Sequence, residues 1–216
     1  MLGIYLPTYG RAGKLQQVAD NIKESTNSEY KLYWGVEAHD RESILAAKDT
    51  KAEVIINTGN PSYSDALQEI YENSDEEIFF WANDDFLFLK DWDVAPLKKL
   101  EENPQIMVLG VHDGNPNTRY STISFIRRKY IEEQSGVVDM PNRVLYPYKH
   151  NYVDDELTGT AKARGVWDLC EAPCIQHQHH SFKFLGDFPH DDTYAKNDKG
   201  LAEDSQTYNE RTHLWL

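Results

Sequence analysis

Asn83-Asp84-Asp85 follows directly on the aromatic run Glu77-Ile78-Phe79-Phe80-Trp81-Ala82. The run reads as a buried strand. The amide and two carboxylates then fall where the strand's carboxyl end meets solvent, the edge at which open α/β sheets bind ligands. Adjacent carboxylates repel each other and are costly to desolvate unless a cation sits between them. Hard oxygen ligands at such a point suit Mg²⁺ or Mn²⁺, which in turn suit a diphosphate. An acidic strand-to-loop cap accounts for the same residues.

Two further clusters carry chemistry. Asp154-Asp155-Glu156-Leu157 precedes a helix-like run from Thr158 to Arg164 that Gly165 closes. The helix dipole favours acids at its start; the functional reading is a general base that takes a proton from an acceptor hydroxyl. In His177-Gln178-His179-His180, strand alternation puts His177 and His179 on one face and His180 on the other. An imidazole here would complete an octahedral site begun by Asp85. Zinc held by Cys170, Cys174 and these histidines is a rival, since three residues separate the cysteines. Against it, Glu171-Ala172-Pro173 reads as a strand start rather than a knuckle turn. Other polar groups recur at strand ends. Pro7-Thr8-Tyr9-Gly10-Arg11 offers a hydroxyl, a fixed turn and a guanidinium that fit a ribose, base or diphosphate, and it also reads as an ordinary turn. Glu37, in Glu37-Ala38-His39-Asp40, presents an acceptor for a base or ribose. Asn57 and Asn60, in Asn57-Thr58-Gly59-Asn60, stand at a third strand end.

The elements that must position these groups follow from hydrophobic patterning. Strands are predicted at Gly3 to Leu6, Lys31 to Val36, Val54 to Ile56 and Glu77 to Ala82, alternating with helices at Leu15 to Lys23, Arg41 to Ala47 and Ser64 to Glu72. Such β-α-β-α alternation implies a mainly parallel, doubly wound sheet with right-handed crossovers. A helix near Pro96 to Glu102, a strand at Ile106 to Val111, a loop over Asp113 to Thr118, a strand at Ser121 to Ile126 and a helix at Lys129 to Gln134 follow. Met140 to Asn151 reads as irregular, a helix begins near Asp154, and an apolar stretch covers Ala172 to Ile175. The last thirty residues are polar and aromatic with few core signals.

At 216 residues the chain suits one α/β domain with a full core. Five Trp, eight Phe and thirteen Tyr supply that core and a ligand cleft. A net charge of −14 argues against non-specific affinity for nucleic acid or anionic membrane. No stretch approaches the ~20 apolar residues of a membrane span, and the N-terminus reads as strand rather than signal peptide. The two cysteines build no disulfide framework, so a cytoplasmic location is expected.

In this order the motifs resemble the GT-A glycosyltransferases, and among them the large family-2-like group of inverting enzymes. Leu6-Pro7-Thr8-Tyr9-Gly10-Arg11 resembles that group's opening PTYNR element. Asn83-Asp84-Asp85, with Asp91-Trp92 after it, is similar to the DxD motif and the following PGW. Phe125-Ile126-Arg127-Arg128-Lys129-Tyr130-Ile131, with Gly136 and Asp139, is similar to hhRRexhxxxGGFD. Asp154-Asp155-Glu156-Leu157 resembles EDxDL, and Gly165 falls eight residues after Leu157 as the helix end of that motif requires. Three positions depart: Asn83 replaces the first acid, Val153 the Glu before Asp154, and Thr160 the usual Arg.

The resemblance covers residues 2 to about 181 and implies a single GT-A domain. Residues 1–111 would be the nucleotide-sugar half, 112–181 the acceptor and catalytic half, and 182–216 a tail that matches no motif. It implies Asp154 as catalytic base with Glu156 as second acid, and Asp85, His177 and His179 as ligands of Mn²⁺ or Mg²⁺. Pro7, Thr8, Tyr9, Arg11, Glu37, Asn57, Asn60, Asn83 and Asp84 would contact the nucleotide-sugar, a UDP-sugar first. The implied acceptor is a glycan or, as in phage-type enzymes, a hydroxymethylated base in DNA. The latter requires Arg119, Arg127, Arg128, Lys129, Arg143, Lys149, Lys162 and Arg164 to form a basic patch, and extrusion of the base. A catalytically inactive nucleotide-binding module and a nucleotidyltransferase are the competing functions. The latter normally needs a Gly-rich phosphate loop near the first strand, which Gly10-Arg11-Ala12-Gly13 matches poorly.

Overall fold

β1 (Leu2–Thr8) is buried along its whole length, as a central strand covered by helices on both faces must be. In the computed structural model, which describes residues 1–114, 122–181, 183–188, 190 and 192–215, it is flanked by parallel neighbours. β2 (Tyr30–Glu37) lies on one side, with β3 (Glu53–Asn57) beyond it, and β4 (Ile78–Trp81) lies on the other. Crossovers run through α1 (Leu15–Ser25), α2 (Arg41–Asp49) and α3 (Tyr63–Glu72). Alternation sorts the strand side chains into two layers. Ile4, Leu6, Trp34 and Phe80 pack with Leu15, Val18 and Ile22 of α1 and Ala47 of α2. Tyr5, Tyr33, Phe79 and Trp81 pack with Leu67, Ile70 and Tyr71 of α3. Each fully buried aliphatic or Phe side chain contributes about 1.5–3 kcal/mol. Gly35 sits where α3 comes closest: a Cβ there would lie 2.9 Å from the Ala66 carbonyl oxygen and from Ile70 Cδ1. Asp40 and Ser62 cap α2 and α3 by accepting from the backbone of Ser43 and Asp65.

The chain continues through β5 (Phe86–Phe88), α4 (Val94–Glu102), β6 (Val108–His112), β7 (Ser124–Arg127), α5 (Arg128–Gln134), α6 (Val153–Ala163), β8 (Trp167–Pro173) and β9 (Ile175–His177). The main sheet has the order β3-β2-β1-β4-β7-β6-β8. Only β7 runs against its neighbours, so the sheet is mainly parallel, as the sequence predicts. β5 and β9 form a separate antiparallel pair that aligns Phe86 with His177. Three-residue strands leave no periodic trace, and this pair was not anticipated. The predicted apolar stretch at Ala172 to Ile175 spans the end of β8 and the start of β9. Residues 115–121, which hold most of the predicted loop, the start of the predicted strand at Ser121, and Arg119, lie outside the described residues.

The tail departs furthest from expectation. It forms α7 (Asp192–Asp198) and α8 (Leu201–Arg211), and α8 is anchored by buried polar groups. Asp204, 2% exposed, accepts hydrogen bonds from the backbone of Lys149, His150 and Asn151 at 2.8–3.0 Å. Arg211 pairs with Glu156 at 2.8 Å and Asp139 at 2.7 Å, and its guanidinium stacks 3.6 Å above the Tyr146 ring. Trp215 lies against Gly159, where a Cβ would be 2.5 Å from the indole nitrogen. Among the described residues no helix is long and apolar enough to cross a membrane.

Candidate active site

β4 delivers Asn83-Asp84-Asp85 to the carboxyl edge of the sheet, and the β5–β9 pairing brings His177 alongside them. The Gln178 amide donates to the Asp85 carbonyl at 2.8 Å, and the His177 amide donates to that of Asp113 at 2.9 Å. His177 Nε2 thereby stands 3.4 Å from Asp85 Oδ2. Burial alone would push the Asp85 carboxyl up. His177, the Tyr194 hydroxyl and Arg11 outweigh it and hold the carboxyl well below the usual carboxylate range. Asp84 is held differently: Thr8 donates to Oδ2 and Arg11 to Oδ1, each at 2.6 Å. Burial still raises its carboxyl, against the opposing pull of Arg11.

A divalent cation fits this arrangement. Asp85 Oδ1 and Asn83 Oδ1 are buried acceptors with no hydrogen-bond partner, a costly state that a hard cation relieves. Among the described residues no three His, Cys, Asp or Glu side chains form a ready-made cage. A cation here would therefore depend on oxygens from a ligand, the mode in which Mg²⁺ binds with substrate phosphates. The zinc alternative fails among the described residues. Cys170 and Cys174 belong to the hydrophobic core, whereas His177 and His179 line the cleft.

The cavity at this edge holds about 200 Å³. Of the predicted nucleotide contacts, Pro7, Thr8, Tyr9, Arg11, Glu37, Asn83 and Asp84 line it. Asn57 and Asn60 do not. The Asn57 side-chain amide donates to Glu37 Oε1 at 3.0 Å and to the Asn60 carbonyl at 2.9 Å, so this pair shapes the turn and orients Glu37. The prediction also missed several lining residues, including Ser62, Tyr63, Lys149 and His150; Tyr194 lines the cavity too. Tyr194 comes from α7. Its hydroxyl donates to Asp85 Oδ2 at 2.5 Å, and the Arg11 guanidinium lies 4.7 Å from the ring centre. In the sequence, Asp191-Asp192-Thr193-Tyr194 reads as a segment that closes over the site or caps the fold; Asp191 lies outside the described residues.

The histidines need correcting. β9 ends at His177, so strand alternation does not govern His179 and His180. The rings instead cluster, with centres 5.2 Å apart for His177–His179 and 4.2 Å for His179–His180. Burial and the neighbouring histidines lower His179 to about 4, which keeps it neutral at physiological pH. Its Nδ1 accepts from the Ser181 amide at 3.2 Å.

A second cavity of about 290 Å³ adjoins the first, sharing Tyr63, Asn83, His150 and His177 with it. Asp154 and Asp155, in the first turn of α6, line it. Burial, then the Asp155 charge, pushes the Asp154 carboxyl up to about 7, matched to proton abstraction near neutrality. Tyr152, at the helix N-cap, takes a left-handed φ of 67°, a conformation costing about 1–3 kcal/mol that clusters at functional sites. Glu156, predicted as a second acid, lines neither cavity. It is 1% exposed and held by Arg211 and by the Tyr148 hydroxyl at 2.6 Å. Its geometry anchors the helix.

Among the described residues, the side chains named for a basic patch have local partners. Arg127, Arg128 and Arg164 donate to backbone carbonyls of Ile106, Glu76 and Ser135. Arg143 pairs with Asp65, Lys149 with Glu203 and Lys129 with Glu133. Lys162 lies over the Trp167 ring. The glycine-rich turn is also engaged: the Gly10 amide donates to Asp40 at 2.7 Å.

No protein family matches the sequence, and no curated protein does either. Three-dimensional likeness is extensive. A mannosyltransferase from Pyrobaculum calidifontis, solved with GDP-Man and Mn²⁺, superposes with a TM-score of 0.69 at 14% identity, over 99% of this chain and 68% of that one. Glucosyl-3-phosphoglycerate synthase from Mycobacterium tuberculosis, with Mn²⁺, UDP and glucosyl-3-phosphoglycerate, gives 0.67 at 11% identity over 94% and 77%. The same enzyme with Mg²⁺ and UDP gives 0.63 at 11% identity over 86% and 74%. The α/β fold of the present chain is therefore the GT-A glycosyltransferase fold.

Proposed function

We propose that a chain with this fold and this edge is a divalent-cation-dependent glycosyltransferase, moving a sugar from a nucleoside-diphosphate donor to an acceptor hydroxyl with inversion. The observation that carries the reading is the pairing of two adjoining cavities. One presents Asp85 with a buried, unpartnered carboxylate oxygen beside His177. The other presents Asp154 with its carboxyl near neutrality. The structural neighbours, solved with nucleotides or nucleotide-sugars and Mn²⁺ or Mg²⁺, support the donor class.

Asp85 and His177, with His179 behind them, would hold Mn²⁺ or Mg²⁺. When bound, the cation supplies charge neutralisation for the departing diphosphate. Arg11 and Lys149 line the same cavity and add fixed positive charge. Glu37, oriented by Asn57, offers an acceptor to an N–H donor such as that of a uracil, in keeping with a UDP-sugar. Asp154 accepts the proton of the acceptor hydroxyl as that oxygen bonds to the anomeric carbon. The bond from that carbon to the diphosphate oxygen breaks on the opposite face, and its electron pair leaves with the diphosphate. Holding donor and acceptor in adjoining cavities supplies the proximity. Residues 1–111 supply most of the donor cavity, while 112–181 add Lys149, His150, His177 and His179 to it and carry Asp154; the acceptor hydroxyl belongs to a glycan.

The test is thermal stabilisation by nucleoside diphosphates with and without Mn²⁺. Ligand at about 100 times its dissociation constant contributes ~2.7 kcal/mol. Asp85→Ala is expected to abolish the Mn²⁺-dependent part. Full retention of that part in the variant would sink the cation assignment. The inactive-module reading draws on Asn83 and Val153, and it predicts nucleotide binding with neither transfer nor donor hydrolysis.

A further inference from the structure

The second cavity carries information about the acceptor, and the following inference rests on the glycosyl-transfer reading above. Its carboxylates are Asp154 and Asp155, no Lys or Arg lines it among the described residues, and its two histidines, His150 and His177, stand on the wall shared with the first cavity. Asp113, fully buried and engaged by the Thr122 hydroxyl at 3.1 Å, adds negative potential close behind. An ionised carboxylate has only acceptor sites, so it pairs with hydroxyl donors and repels phosphates, which are also acceptors. An unsatisfied donor is present as well. Trp81, 2% exposed, lines the cavity, and its indole N–H is buried without a partner. Asn83 Oδ1 is an unpartnered acceptor on the wall shared with the donor cavity. Tyr63, Trp81 and Tyr152 supply aromatic surface for the C–H face of a sugar ring.

We propose that the second cavity is the acceptor site and that it takes an uncharged polyhydroxyl compound, a sugar or sugar-terminated molecule, rather than a phosphorylated compound or a nucleic acid. Among the described residues, the basic side chains named for a nucleic acid are engaged with backbone carbonyls, carboxylates or a ring, and none of them lines this cavity.

The experiment is saturation-transfer NMR on the full chain with diamagnetic Mg²⁺ and nucleoside diphosphate, whose own binding is recorded in parallel. The probes are methyl hexosides, the corresponding hexose 6-phosphates, and a short oligonucleotide containing hydroxymethylcytosine. The methyl hexosides are expected to bind, with the phosphates and the oligonucleotide at least about tenfold weaker because of like-charge repulsion at short range. Asp155→Lys is expected to narrow that gap by about tenfold or more by the same Coulombic term. Asp155→Asn, nearly isosteric, is expected to narrow it part of the way and covers the case in which the lysine variant fails to fold. Equal or tighter binding of the phosphates or the oligonucleotide to the unmodified chain would overturn the proposal. So would binding of nucleoside diphosphate with no binding of any hexoside. Hexoside binding without any nucleoside diphosphate binding would instead overturn the donor reading.

Discussion

Asp154 holds two properties that a general base needs: a position lining a cavity and a carboxyl raised to about 7. The same shift has a sign in stability. Between the ordinary carboxylate value and about 7 the folded state holds a proton that the unfolded state has released, so folding weakens as pH rises through that window. Asp154→Asn removes the titration. The variant is expected to lose less stability than the parent between pH 4 and pH 7, as urea melts across that range would show. Transfer by the unmodified enzyme should rise with pH through about 7 as the base ionises. In the variant it should fall ~10²–10⁴-fold, with donor affinity nearly unchanged. Asp155→Asn should cost far less transfer. Near-normal transfer by Asp154→Asn would place the base elsewhere, with Asp155 the next candidate, since Glu156 lines neither cavity.

The site is assembled by element pairings of unequal legibility. The aromatic run of β4 announces its strand, and the polar cluster after it announces the sheet edge, so Asn83, Asp84 and Asp85 could be read from the sequence. The grouping of Asp85 with His177 was legible as ligand chemistry, but the β5–β9 pairing that produces it was not, because these strands are three residues each. Glu156 misled for a related reason. Its partner Arg211 is 55 positions away, and nothing local distinguishes a clamped carboxylate from a catalytic one. Asn57 resembles a ligand contact because a turn-forming amide and a nucleotide-binding amide are the same residue type. The α6–α8 clamp yields a prediction at this scale. Arg211→Met leaves the Glu156 carboxyl buried with, among the described residues, Tyr148 alone engaging it, and should cost about 3–5 kcal/mol. Adding Glu156→Gln should recover a substantial part by removing the unpaired charge. Equilibrium urea unfolding measures both. A cost below ~1 kcal/mol, the range of exposed pairs, would mean that the clamp does not hold α6.

Over the whole molecule the tail bridges both cavities, with attachments of different strength. α8 is tied by Asp204 to three backbone amides, by Arg211 to Glu156 and Asp139, and, just beyond it, by Trp215 to the surface of α6. These anchors are polar or single aromatic side chains, which leave no hydrophobic period in the sequence, and that is why the tail read as lacking core signals. Among the described side chains, α7 is held at the site through Tyr194, whose hydroxyl sits on the same Asp85 oxygen that faces His177, and Asp198 at its end pairs with His190. A cation drawn to Asp85 competes with that hydrogen bond, a charge-assisted contact worth about 1.5–3 kcal/mol. Regions with few buried contacts open well below the global unfolding free energy, whereas well-anchored ones follow it. Hydrogen exchange should therefore divide the tail. Amides of 201–211 are expected to exchange with the core, and those of 192–198 much faster. Adding Mn²⁺ with nucleoside diphosphate should change exchange in 192–198 and leave 201–211 unaltered. Tyr194→Phe should tighten cation binding by about tenfold, the lower end of the hydrogen-bond range just given. Weaker binding in that variant would show that the hydroxyl orients Asp85 for the cation instead of competing with it, and α7 would then belong to the bound state.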